Sequence, residues 1–186
     1  RILTWPGDTY EHPQRPTLTP LTADQEKRMA LGQAVYNVTC HACHKNDGRG
    51  MAGQTPPLAD SEWVNGDPQH LVRIALHGLS GPVKVNGQEW NLTMPGLGQS
   101  PVMNDERLAG VLTYIRRAWG NYGEAIDPEF VAKCRASSAG RTALWTIEEL
   151  RHSESASPTK PAEKVDPLER YRPVLARGDQ ERGREL

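Results

Sequence analysis

Apolar positions recur with a helical period in three stretches, and Gly and Pro punctuate the chain between them. In residues 22–39, Leu31, Ala34, Val35 and Val38 follow the i, i+3, i+4, i+7 spacing that marks one face of a helix. Thr22 followed by Gln25 fits a capping box at its start. A shorter helix is predicted over 68–77, with Asp67 as N-cap, Pro68 at the first position and Gly78 just past the end. The strongest stripe, Leu108, Val111, Leu112, Ile115 and Trp119, predicts a helix over 105–119. Asn104 caps it, Asp105 and Glu106 lie where the helix dipole favours anions, and Arg116, Arg117 and Gly120 close it. Two further helices are predicted at 128–136, behind Asp127 and Pro128, and at 147–152, where Thr146 and Glu149 form a capping box. Residues 45–66 and 79–101 are loop-like. Within the second, Asn86-Gly87 favours a tight turn and a small hairpin over 83–87.

The two ends differ from this middle. Residues 1–21 hold four prolines and show no period, which reads as an extended arm. Ile2, Leu3, Trp5 and Tyr10 would lay that arm on a surface; a disordered leader is the other reading. From residue 151 onward, 15 of 36 residues are charged and Pro158, Pro161, Pro167 and Pro173 interrupt the run. Such a composition buries too little surface to offset the entropy of ordering, so it reads as a linker or as a tail that orders against a partner. The expected organisation is an arm (1–21), a compact domain (22–120), a helical extension (121–152) and a charged, proline-containing tail (153–186).

Composition narrows the function classes. Hydrophobic residues are 37% of the 186, low for a chain that is compact throughout. A net charge of -1 gives no global basic footprint for nucleic acid. No apolar run reaches the ~18 residues of a membrane-spanning helix. The chain opens on Arg1 with no charged-then-apolar leader, so either a signal was removed or this is a segment of a longer protein. Three cysteines are too few for a disulfide scaffold.

Two of those cysteines sit in Cys40-His41-Ala42-Cys43-His44, the C-x-x-C-H pattern of c-type haem attachment. Two intervening residues let one short helical turn offer both thiols to the two porphyrin vinyl groups. His44 then faces the iron from the same side as its proximal ligand. A structural zinc site would need a second Cys or His pair, and a thioredoxin-like motif a preceding strand. Neither is present. The sixth-ligand candidates are Met51, Met94, Met103, His41, His70 and His77. Met94 precedes Pro95, which holds the methionine in extended backbone able to lay a thioether against the open iron face. Met51 is only seven residues past His44, and Met103 lies close to the cap of the last strong helix. His70 and His77 read as surface or core residues of the middle helix. A core role remains the alternative for Met94.

Helix, C-x-x-C-H, proline loop, short helix, Met-Pro loop and amphipathic helix follow in an order that resembles a class I c-type cytochrome over residues 22–120. The resemblance implies an all-α fold in which the N- and C-terminal helices cross beside one covalently bound haem c. Gly32 and Tyr36 match the contact on the first helix, with Tyr114, or Val111 and Ile115, on the other side. Thr55-Pro56-Pro57-Leu58 matches the family's proline loop. There Pro56 would accept the Nδ1 hydrogen of His44 and Leu58 would pack on the haem, with Pro57 leaving the register open by one. Either Trp63 or Trp90 would reach a haem propionate through its indole N–H, ordinary core packing being the alternative. A narrower resemblance, carried by Ser61-Glu62-Trp63-Val64, 73–79, 87–95, 114–120 and 144–150, is to the cytochrome domain near the C-terminus of large bacterial secreted dehydrogenase-like proteins.

This family resemblance implies a haem and iron protein for electron transport with His44 and Met94 as axial ligands, more a carrier than a catalyst on its own. Because c-type haem is attached outside the cytoplasm, the expected location is bacterial periplasm or beyond. Expected partners are a redox protein or complex, with stable subunit contact through the arm and tail, and no nucleic acid. Residues 24–120 carry nine basic and nine acidic side chains, which provides little long-range steering. A haem domain fed by a quinoprotein-type dehydrogenase is the alternative, and an open-site haem enzyme or sensor is a further one. Cys134 reads as a half-buried small hydrophobe, with an intermolecular disulfide as the other option.

Overall fold

Local capping signals set the helix boundaries in the computed structural model, which describes residues 16–154. Helix α1 (Ala23–Thr39) starts at the expected capping box: the Gln25 N–H donates to the Thr22 hydroxyl and the Thr22 N–H to the Gln25 side chain. Helix α2 (His41–His44) is the single turn of the haem motif, and α3 (Glu62–Asn65) is a turn capped by Ser61, whose hydroxyl accepts from the Trp63 N–H. Helix α4 (Pro68–His77) is capped by Asp67, and α5 (Asp105–Arg117) by Asn104, as their sequences predict. Helices α6 (Pro128–Ser137) and α7 (Ile147–Glu154) follow. The expected arm falls outside the described residues except for 16–21, and the expected tail does so from 155 onward.

The helices are joined by two antiparallel ladders. Strand β1 (Gly78–Leu79) pairs with β4 (Met94–Pro95), and β2 (Pro82–Val85) with β3 (Gln88–Asn91). The second is the hairpin expected from Asn86-Gly87, both of which take positive φ (50° and 78°) as a type I′ turn requires. The expectation of an all-α chain is therefore corrected to a mainly helical one with two two-stranded ladders. Strands of two to four residues give too short a period for sequence pattern to register.

Helix α1 crosses α5 at a backbone contact. A Cβ on Gly32 would overlap the Gly110 carbonyl, and a Cβ on Gly110 would meet the Arg28 carbonyl oxygen at 2.6 Å. Arg28 bridges Glu106 at 2.9 Å and Asp127 at 3.3 Å beside this crossing. The close approach rotates α1 so that Gly32 and Tyr36 face inward, and the stripe predicted on that helix is not its core face. Leu31 is 44% exposed and Val38 82%. On α5 the predicted stripe holds for Leu108, Val111, Leu112 and Ile115. Trp119 is an exception: it lies past the helix end with φ 54° and packs on Tyr36 and Tyr114.

Residues 121–150 wrap this framework. Ile126, Val131 and Cys134 join the main core with Tyr36, Val72 and Leu108. Cys134 is fully buried rather than half-buried, and its burial pushes the thiol pKa up. That burial also rules against an intermolecular disulfide in the folded chain. The buried Arg116 guanidinium donates to the carbonyls of Val64 at 2.6 Å, Gly66 at 3.1 Å and Glu124 at 2.9 Å, so one cation ties α3 and the extension to α5.

Replacing Gly32 with Ala forces the two helices apart. Denaturant unfolding of the haem-loaded protein is expected to show a loss of about 2 kcal/mol or more, as overpacking typically costs. Val38→Ala on the exposed face is expected to change stability by less than about 0.5 kcal/mol.

Candidate functional site

The helix crossing leaves an apolar cleft on the side of α5 that faces the haem motif. Its walls come from two core helices, with Leu108, Val111, Leu112 and Ile115 from α5, and Leu71, Ile74 and Ala75 from α4. Leu79, Val83 and Val85 add the strands.

The residues of the motif close one end. Cys40 ends α1 and opens α2, and the N–H groups of Cys43 and His44 both point back at the Cys40 carbonyl, 3.2 and 3.0 Å away. Cys40, Cys43 and His44 thus share one turn. Cys40 and His44 line the cleft, while Cys43 is exposed beside them. The Cys40 thiol is pushed up in pKa chiefly by burial. The buried His44 imidazole is lowered by burial, opposed by its bond to Pro56. His44 Nδ1–H donates to the Pro56 carbonyl at 3.2 Å, which leaves Nε2 as the ring nitrogen able to ligate a metal. Tyr36 stabilises the same turn by donating its hydroxyl to the Lys45 carbonyl at 2.6 Å; burial raises its pKa further from neutrality.

The proline loop supplies the next wall. Pro56, Pro57 and Leu58 all line the cleft. The loop is held by hydrogen bonds from the N–H groups of Leu58 and Ala59 to the Gly48 carbonyl. Asn121 adds a second anchor, its amide donating to the carbonyls of Leu58 and Ile115, and Asn65 donates to the Asn121 side-chain oxygen in turn. Sequence pattern missed this amide pair, since neither Asn lies in a motif; its signal is spatial.

Met94 lines the cleft, and it alone does so among the sixth-ligand candidates. Met103 is buried in the main core, and Met51 bridges to Thr55 at the rim of its loop. His70 Nε2 bonds the Leu150 carbonyl and His77 Nε2 the Ser138 hydroxyl. Of the two tryptophans, Trp63 is at the cleft wall, but its indole N–H is already given to the Lys84 carbonyl at 2.9 Å, which removes it as a propionate donor. Trp90 is buried opposite Val83 on the hairpin and is not a lining residue; its Nε1 has no hydrogen-bond partner among the described residues.

This donor set fits a covalently bound haem: two thiols on one turn, an imidazole with its distal nitrogen free, a thioether and apolar walls. Residues 27–115 match the family described as cytochrome c oxidase, cbb3-type, subunit III. Cytochrome c-552 of Thermus thermophilus is 35% identical over 96 residues, which cover 50% of this chain and 70% of that protein.

The chain belongs to the cytochrome c family.

It is a monohaem c-type cytochrome that transfers electrons. The gluconate 2-dehydrogenase cytochrome c subunit of Pantoea cypripedii is 37% identical over 120 residues, or 58% of this chain and 26% of that one. The alcohol dehydrogenase (quinone) cytochrome c subunit of Gluconacetobacter polyoxogenes is 33% identical over 107 residues, with 57% and 22% covered. The cytochrome thus spans about a quarter of the length of these dehydrogenase subunits. Among its described residues no helix is long and apolar enough to cross a membrane.

Tyr36→Phe removes one buried hydrogen bond next to the attachment turn. The variant is expected to retain its haem and to lose about 1–2 kcal/mol of stability in denaturant unfolding.

Proposed function

We propose that this cytochrome holds its haem iron between His44 and Met94 and serves as the haem module of a larger bacterial redox complex outside the cytoplasm. One observation carries the ligation: Met94 shares the cleft with His44, and the five other candidates do not line it. The bound haem supplies a one-electron iron couple. The protein contributes a coordination shell that is filled on both sides and therefore changes little between oxidation states. The Pro56 carbonyl fixes the His44 ring and makes it a better donor, while the apolar walls exclude water. Neutral His and Met ligands favour the reduced state relative to an anionic ligand, so the potential is set high for a haem. Cys40, Cys43 and Leu58 complete the attachment and packing, and Trp90 packs beside Val83 on the same face of the hairpin.

Attachment chemistry supports an extracytoplasmic location. The dehydrogenase subunits among the relatives support a stable place in a complex, and the balanced charge of residues 24–120 agrees with tethered transfer rather than long-range steering. The relatives further support electrons arriving from a dehydrogenase, a quinoprotein-type one being the alternative kept from the sequence.

Spectroelectrochemical titration of the purified protein is expected to show a single one-electron step. The oxidised form is expected to show the long-wavelength sulfur-to-iron charge-transfer band, and the reduced form not to bind carbon monoxide. Met94→Ala is expected to abolish the band and open the iron to carbon monoxide. Carbon monoxide binding by the unsubstituted protein would instead identify an open-site haem enzyme or sensor.

A further inference from the structure

The Met94 segment is tied into the fold by backbone pairing, and part of that tie lies beyond residue 115, where the family match ends. Strand β4 carries Met94 and pairs with β1 so that Leu79 stands opposite Met94. On its other edge β1 is bonded to the extension. The Trp145 N–H donates to the Gly78 carbonyl at 3.1 Å, and the Ser80 N–H to the Trp145 carbonyl at 2.8 Å, a parallel bridge between Leu79 and Trp145. Three backbone segments, 94–95, 78–79 and residue 145, therefore form one short ladder, and the outermost comes from the extension.

Side chains lock this ladder. Trp145 is buried and belongs to the same apolar cluster as Leu79, with Met94 packed against it. The Arg141 guanidinium lies 3.7 Å from the Trp145 ring centroid, and Arg141 also donates to the Leu144 carbonyl and to Glu149. Glu149 in turn accepts from the Thr146 N–H, so the strap is anchored at the start of α7. At Gly78, whose φ is 84°, a Cβ would overlap the Met94 carbonyl and meet Leu144 Cδ2 at 2.5 Å. The ligand segment, the strand and the strap thus meet with no room for a side chain between them. Beyond Met94 the chain is bonded back to α4, through Leu97 N–H to Ala75 and Gly98 N–H to Leu76.

The geometry points to Leu144 and Trp145 as positioning residues for the sixth ligand: the extension is a strap that keeps the Met94 segment against the cleft and slows displacement of the thioether from the iron. This rests on Met94 being that ligand. Leu144 and Trp145 do not line the cleft that Cys40 and His44 line. The strap's effect runs through Leu79 and the backbone of β1, and it acts on how long the thioether stays bound rather than on whether haem is attached.

The test is the rate at which cyanide replaces the sixth ligand in the oxidised, haem-loaded protein. Trp145→Ala is expected to raise that rate about tenfold or more, with the sulfur-to-iron band present but weakened. Leu144→Ala, at a half-buried position, is the second variant should Trp145→Ala not fold, and is expected to speed cyanide binding in the same direction. Val131→Ala, in the main core away from the strap, lowers general stability and is expected to leave the rate within about twofold. Unchanged rates in both strap variants would overturn the inference, as would an equal increase in Val131→Ala. Absence of the sulfur-to-iron band in the unsubstituted protein would instead refute Met94 as the ligand.

Discussion

The backbone contact between Gly32 and Gly110 is the constraint on which the rest of this fold depends. It brings α1 and α5 together without intervening side chains, and so fixes where α1 ends. That end is Cys40, and one turn later His44 is directed into the space beside the buried face of α5. A bulkier crossing would move the attachment turn away from Leu108, Val111, Leu112 and Ile115, the wall it must face. The interior is completed by an apolar prosthetic group rather than by more side chains, which is why a chain with only 37% hydrophobic residues can build this core.

Much of the site was legible because the chemistry requires residues close in sequence. Cys40, Cys43 and His44 must share one turn, and Met94 before Pro95 marks its own extended backbone. The bond from His44 to Pro56 joins positions twelve apart; the family resemblance pointed to this loop with the register open by one, and the acceptor is Pro56. Capping residues fixed the starts of α1, α4 and α5 because the interaction is local.

What was not legible depends on contacts distant in sequence. The apolar stripe of α1 is a real pattern, yet the helix turns inward the Gly32 and Tyr36 face that only the family resemblance had marked, since close backbone approach outweighs burial of Leu31 and Val38. Trp119 continues the α5 period on paper, but the chain leaves the helix at Ala118. The Asn65–Asn121 pair and the Arg116 bridge join α3 to the chain past α5, and no local pattern announces either. The three-segment ladder through Leu79 is the clearest case: two residues of β1 and a single residue from the extension carry no readable period.

These elements describe a carrier whose cofactor is held by a small number of fixed points, with the attachment turn on one side of the cleft and the strapped Met94 segment contributing another part of its wall. Intact-mass analysis of the native protein, followed by peptide mapping, tests that claim most directly. The expected result is the chain mass plus one haem, with the added mass confined to the peptide containing Cys40 and Cys43. A bare chain mass, or haem found on any other peptide, would contradict it.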